Sequence, residues 1–193
     1  KTLVVHPDDR STDFLRAVYA GLDNLTVITG GMSVAEVHQQ IKEHDRVIML
    51  GHGTPKGLLA IGNFSPNPSE KVKGVYQFPP FLVVDESIAE ELAKKENNIY
   101  IWCYASDFVK AHDLKGFCSG MFISEVLEAE MMGVHNQSQE AVDAQCKYFC
   151  DLVGSVAHKP ANEIYDYVHA EYGKWVNKCP ITKYNHERLY VGM

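Results

Sequence analysis

The sequence lacks an apolar run long enough to cross a bilayer. Its apolar runs, such as 47–50 and 99–103, are a fraction of the roughly 20 residues that a membrane helix needs. It also lacks a stripe of lysine and arginine. Eighteen cations are scattered among 25 acidic residues, leaving a net charge of −7, so the counterion release that drives nucleic-acid binding has no clustered source. Cysteine is sparse and odd in number, at 103, 118, 146, 150 and 179, without paired metal-ligand spacing. Free thiols in a reducing compartment, the cytoplasm, are the simplest expectation. No basic, apolar leader opens the chain as given, and no internal repeat or low-complexity tract interrupts it. These absences exclude a membrane span, a collagen-like fibre, a disulfide-stapled miniprotein and a disordered tail. They predict neither nucleic-acid nor membrane partners.

What is present is ordinary for a globular protein. With 193 residues, 46% hydrophobic and 22% charged, the chain is expected to form one domain over 1–193 around one sizeable core. Short β-branched runs at 2–6, 25–29, 46–50, 81–84 and 99–103 read as strands, with 189–191 as an edge strand. Between them, apolar residues recur at helical spacing. One helix is expected through Leu15, Val18, Tyr19 and Leu22, capped by Ser11-Thr12-Asp13, and another through Val34, Val37 and Ile41, capped by Ser33. Asp85-Glu86-Ser87 opens a third through Ile88 and Leu92, and further helices are expected over 120–132, 140–156 and 162–175. A short strand at 133–135, a hairpin arm at 57–62 and a loop over 64–80 complete the expectation. Alternating strands and helices predict a three-layer α/β sandwich around a mostly parallel sheet.

In such sheets, ligands and reactive groups collect at the carboxyl ends of the strands. Three polar sites fall there: His6-Pro7-Asp8-Asp9, Gly51-His52-Gly53 and Cys103-Tyr104-Ala105-Ser106. If the strands ending at His52 and Cys103 are neighbours, imidazole and thiol face each other across the sheet edge. A thiol becomes a strong nucleophile as thiolate, and an imidazole can take that proton and later protonate a leaving amine. Gly53, without a Cβ, lets a substrate approach its backbone N–H, as a developing oxyanion requires.

The blocks Val47-Ile48-Met49-Leu50-Gly51-His52-Gly53 and Ile99-Tyr100-Ile101-Trp102-Cys103 resemble the two defining blocks of the caspase-like (clan CD) cysteine peptidases, closer to the CHAT and gingipain-type branches than to true caspases. A histidine about 50 residues before the nucleophile is itself a caspase feature. The resemblance covers about residues 1–175, with its specific signal in a dozen positions. It implies a caspase-like fold, Cys103 as nucleophile, His52 as general acid/base, and Gly53 and Cys103 as oxyanion donors. It also implies a protein or peptide substrate and no metal or other cofactor. Ile101-Trp102-Cys103-Tyr104-Ala105 replaces the Gln-Ala-Cys-Arg-Gly of true caspases, so cleavage after aspartate is not implied.

Two other readings stand beside it. His6-Pro7-Asp8-Asp9 resembles the opening motif of PIG-L-like zinc deacetylases, which implies a zinc-bound water as nucleophile, although Arg10 stands where that motif continues with Glu. A non-catalytic α/β binding or signalling domain would leave Cys103 as packing and the glycines as turn formers. Gly51, Gly53, Lys56 and Gly57 match no phosphate-loop spacing. The segments 64–80 and 107–117 are candidate walls of a specificity pocket. Met121, Ile123, Val126 and Leu127 read as a core face. Side-chain preference and oligomeric state are left open.

Overall fold

The computed structural model describes residues 1–67 and 81–193. Strand β1 (Thr2–Val5) leads into a 3₁₀ helix (Arg10–Val18), then β2 (Leu25–Ile28), β3 (Met32–Ser33), α1 (Val34–Glu43) and β4 (Arg46–Leu50). Three short strands follow, β5 (Gly53–Thr54), β6 (Gly57–Leu59) and β7 (Phe64–Ser65), then β8 (Leu82–Val84), α2 (Ala89–Ala93) and β9 (Asn98–Ile101). The chain closes with α3 (Ala105–Ala111), β10 (Gly116–Cys118), α4 (Val126–Met131), α5 (Gln139–Val156), α6 (Ala161–Gly173), α7 (Pro180–His186) and β11 (Tyr190–Gly192).

Six strands form the central sheet in the order β11-β10-β9-β4-β1-β2, parallel except for β11. Side chains alternate across it. Val4, Ile48, Leu50, Ile99 and Ile101 face one apolar layer, which the 3₁₀ helix, α5 and α6 complete. Leu3, Val5, Val47, Met49, Tyr100 and Trp102 face another, built with α1, α2, α3 and the small sheet β5-β6-β8. Strands buried on both faces read as unbroken apolar runs, which is why β1, β4 and β9 are visible in the sequence. The protein is thus a mixed α/β fold with a mostly parallel sheet between helices. Among the described residues no helix is long and apolar enough to cross a membrane, and all five cysteines are free.

Several expected elements differ. The helix expected over 120–132 exists only as Val126–Met131. Ahead of it the chain is irregular and is held by α7 and the residues just after it: Asn185 accepts from Ile123 N–H at 2.7 Å and donates to Ile123 O at 3.2 Å, and Gly120 N–H donates to Arg188 O. Met121 and Ile123 are buried as expected, but Leu127 is 68% exposed. Residues 133–135 form a loop, and α3, β10 and α7 were not anticipated. Asp9, not Ser11, caps the first helix, which is 3₁₀ and ends at Val18. Within the expected loop 64–80, Phe64–Ser65 is a strand paired with Met32–Ser33, and 68–80 lie outside the described residues.

Candidate active site

The chain runs β1 to β2 on one side and returns over β1 to β4, so the winding direction changes between β1 and β4. Such a switch point opens a crevice at the carboxyl ends of the strands. Three polar residues reach it there. Asp9 follows β1, His52 follows β4, and Cys103 follows β9, the strand paired directly to β4.

Cys103 sits on a sharp turn. Tyr104 adopts a left-handed conformation (φ 69°), and Ala105 N–H closes onto Trp102 O at 3.1 Å as α3 begins. A bulky residue costs about 1 kcal/mol or more in that region, so strain is stored immediately beside the thiol. The preceding Trp102 is anchored by Nε1–H donating to Thr54 O at 3.1 Å. Its ring also accounts for Gly53, because a Cβ there would lie 2.0 Å from Trp102 Cδ1. Gly53 is therefore required for packing. Its N–H remains available nonetheless. Leu59 N–H donates to His52 O, which makes 52/59 a hydrogen-bonded pair of the hairpin and its neighbour Gly53/Leu58 a non-bonded one. The Gly53 N–H consequently points away from β6.

His52 is held from one side. Its Nε2 lies 2.6 Å from Ser11 Oγ and 3.1 Å from Asp9 Oδ2, while Ser11 O–H donates to Asp9 Oδ2 at 2.9 Å. With the hydroxyl proton given to Asp9, the network is satisfied when Nε2 carries the imidazole hydrogen, which leaves Nδ1 as the basic nitrogen. The His52 and Asp9 side chains are only 27% and 19% exposed, so this contact is less screened than a surface pair. Asp9 also accepts from Ser11 N–H as the helix cap, which fixes its carboxylate.

The Cys103 thiol is in its resting, protonated form. Burial pushes its pKa up to about 11, and the S–H donates to Phe122 O at 3.6 Å. Cys103 and His52 line one open groove of about 540 Å³ with Gly53, Tyr104, Leu59, Ile61, Met121, Glu128, Met131 and Met132. The groove walls thus come from β6, the segment after it and α4. They do not come from 107–117, where α3 and β10 instead hold Asp107 in a separate polar cleft with Lys110, Arg188 and Tyr190. Phe64 is buried in the apolar layer, and Ser65 is buried too.

His6-Pro7-Asp8-Asp9 is dispersed by the fold. His6 is 2% exposed, with Nδ1 at 3.2 Å from Tyr19 Oη and Nε2 at 3.3 Å from Thr12 Oγ1. Burial lowers its pKa to about 4, so it is a neutral core histidine. Asp8 pairs with Arg16 at 3.0 Å. Among the described residues no three His, Cys, Asp or Glu side chains converge where they could hold a metal ion. The structure places the sequence-predicted His52, Gly53 and Cys103 on one groove, and adds contacts to His52 from Ser11 and from Asp9, which the sequence reading had placed in a different motif. Only the parallel pairing of β1 and β4 brings them to the imidazole.

Comparison with protein-family models, with curated proteins and with solved structures gives no match.

Proposed function

We propose that this chain is a caspase-like cysteine peptidase in which Cys103 is the nucleophile and His52 the general acid/base. The reading rests on one observation above the others: the strands carrying the two groups are adjacent, and thiol and imidazole line the same open groove. The resemblance of the two strand-end blocks to clan CD peptidases supports it.

In this reading His52 Nδ1 takes the thiol proton as the Cys103 sulfur bonds to the carbonyl carbon of a peptide. Asp9 and Ser11 hold the imidazole and stabilise the imidazolium that results. The N–H groups of Gly53 and Cys103 receive the developing oxyanion. The carbon–nitrogen bond then breaks, and the amine leaves with the proton from His52. Water hydrolyses the thioester, the acyl group departs as carboxylate and the thiol is restored. Because the resting thiol is protonated, proton transfer belongs to substrate engagement, not to a preformed thiolate ion pair.

A non-catalytic binding domain of the same architecture is the second reading, favoured by that same protonated, hydrogen-bonded thiol. One experiment separates the two. A thiol-directed electrophile should label Cys103 faster than Cys118, Cys146, Cys150 or Cys179, and His52→Ala should slow that labelling about 10²-fold or more. Indifference of the rate to His52→Ala would leave Cys103 a packing residue.

A further inference from the structure

Helices α6 and α7 press two half-buried imidazoles together outside the Cys103 groove. The rings of His169 and His186 lie 4.0 Å apart, centroid to centroid, tilted by 38°. His186 Nε2 is 2.9 Å from His169 O, and because a carbonyl only accepts, that nitrogen carries the hydrogen. Its bare Nδ1 is where acid adds a proton. Gly173 permits the approach, since a Cβ there would lie 3.0 Å from the same Nε2. On α6, Tyr165 stacks on His169 at 5.2 Å and Tyr172 stands 6.4 Å from His186. Lys183 and Glu187 flank His186 along the chain, and α5 turns Tyr148 towards Tyr172 and Trp175. The strands packed on α6 carry Cys118 and, beneath Lys110, Tyr190. Burial first and the His186 ring second hold the His169 pKa below the ordinary histidine value, against the pull of Asp166.

The pair lies at the free end of α7. The start of that helix is anchored, with Ile181 fully buried and Thr182 O–H donating to Gln145 Oε1 of α5. Its last turn holds the irregular segment 120–125. Asn185, next in the chain to His186, accepts from Ile123 N–H at 2.7 Å and donates to Ile123 O at 3.2 Å. The same segment supplies the acceptors of two thiols, Phe122 O for Cys103 and Ile123 O for Cys146.

We propose that the His169–His186 pair is an acid-sensitive latch on this segment. One proton on the pair is compatible with its packing. Two protons place like charges 4.0 Å apart and part the last turn of α7 from α6. Asn185 then lets go of Ile123, and the carbonyls of residues 122 and 123 leave both thiols. The latch contributes fully above the ordinary histidine value of 6.5, and that contribution is lost as the pH falls below it. The device needs no enzymatic activity, so it stands independently of the peptidase reading.

Amide exchange followed by NMR on the intact chain reads the latch directly, because the Ile123 N–H is itself held by Asn185. Protection factors remove the intrinsic pH dependence of exchange. The Val47 N–H, held by Asn98 at the amino end of β4, is the internal reference for unfolding of the whole molecule. Between about pH 7.5 and about pH 5, the protection of Ile123 relative to Val47 should fall about tenfold. The fall should disappear in His169→Gln and in His186→Gln, whose amide keeps a donor for His169 O, and it should shrink in about 1 M salt. A constant ratio in the unmodified chain overturns the inference, as does an undiminished fall in either variant.

Discussion

The two ends of the central sheet treat polar groups in opposite ways. At the amino ends of β4 and β9, buried polar side chains tie off backbone or a neighbour inside the core, with the exception of Arg46 Nη2, which is buried without a partner. Asn98, fully buried, accepts from Val47 N–H at 2.8 Å and donates to Tyr100 Oη at 3.0 Å, while Lys95 Nζ donates to His44 O at 2.7 Å and Arg46 Nε donates to Asn97 O. At the carboxyl ends, Asp9, Ser11 and His52 bond to one another, His52 lines the groove of Cys103, and a strained turn carries the thiol. One end uses polarity to close the fold. The other leaves it organised but unsatisfied by the core, which is the arrangement a reacting site needs.

The sharpest way to test that contrast is at the closed end. Asn98→Ala strands the Val47 N–H and removes two hydrogen bonds, so chemical denaturation should show a loss of about 2–4 kcal/mol. The rate of Cys103 labelling per folded molecule should change less than about twofold, because the site lies at the far end of the strands. A loss of stability below about 0.5 kcal/mol would erase the distinction between the ends.

His6 sharpens it from the other side. It lies at the carboxyl end of β1 but is buried and neutral like a closed-end residue. Its folded pKa is depressed to about 4, so its contribution is fully present above the ordinary histidine value of 6.5 and is lost as the pH falls through the window between them. Denaturation midpoints measured between pH 7 and pH 4 should therefore decline, by on the order of 3 kcal/mol at the limit, and the decline should shrink in His6→Gln. The same dependence in both chains would assign it to other groups.

The smallest expected effect is at Asp9. Asparagine caps helices as well as aspartate does, so Asp9→Asn should leave the 3₁₀ helix and the denaturation midpoint nearly unchanged. Labelling of Cys103 should nevertheless slow about 10- to 100-fold, because the imidazole loses the anion that fixes its tautomer. A midpoint shift with no change in rate would return Asp9 to the closing class of residues.

Much of this arrangement is legible in the linear chain, and for a definite reason. A strand buried on both faces must be apolar throughout and must stop where polar residues or glycine begin, so β1, β4 and β9 and the residues at their ends stand out locally. His52 and Cys103 were visible for that reason alone. The strand pairing they required is what the sheet shows. Segments whose conformation is imposed from a distance were not legible. Residues 120–125 carry a helical apolar pattern but are pinned in an irregular course by Asn185 and Arg188, some sixty residues further on. Intrinsic propensity is a weak preference of tenths of a kcal/mol per residue, and several long-range hydrogen bonds outweigh it.

The sequence by itself therefore determined the class of fold, the apolar strands and which polar residues, His52 and Cys103 among them, stand at their tips, because burial and local turn chemistry write themselves into neighbouring residues. Only the tertiary structure decided which carboxylates lie near them. Asp9 meets His52, and Glu128 meets the groove of Cys103, through a sheet register and a loop course set by contacts between residues far apart in the chain. No local pattern encodes such meetings, since the cost of bringing the partners together is met by packing elsewhere in the molecule.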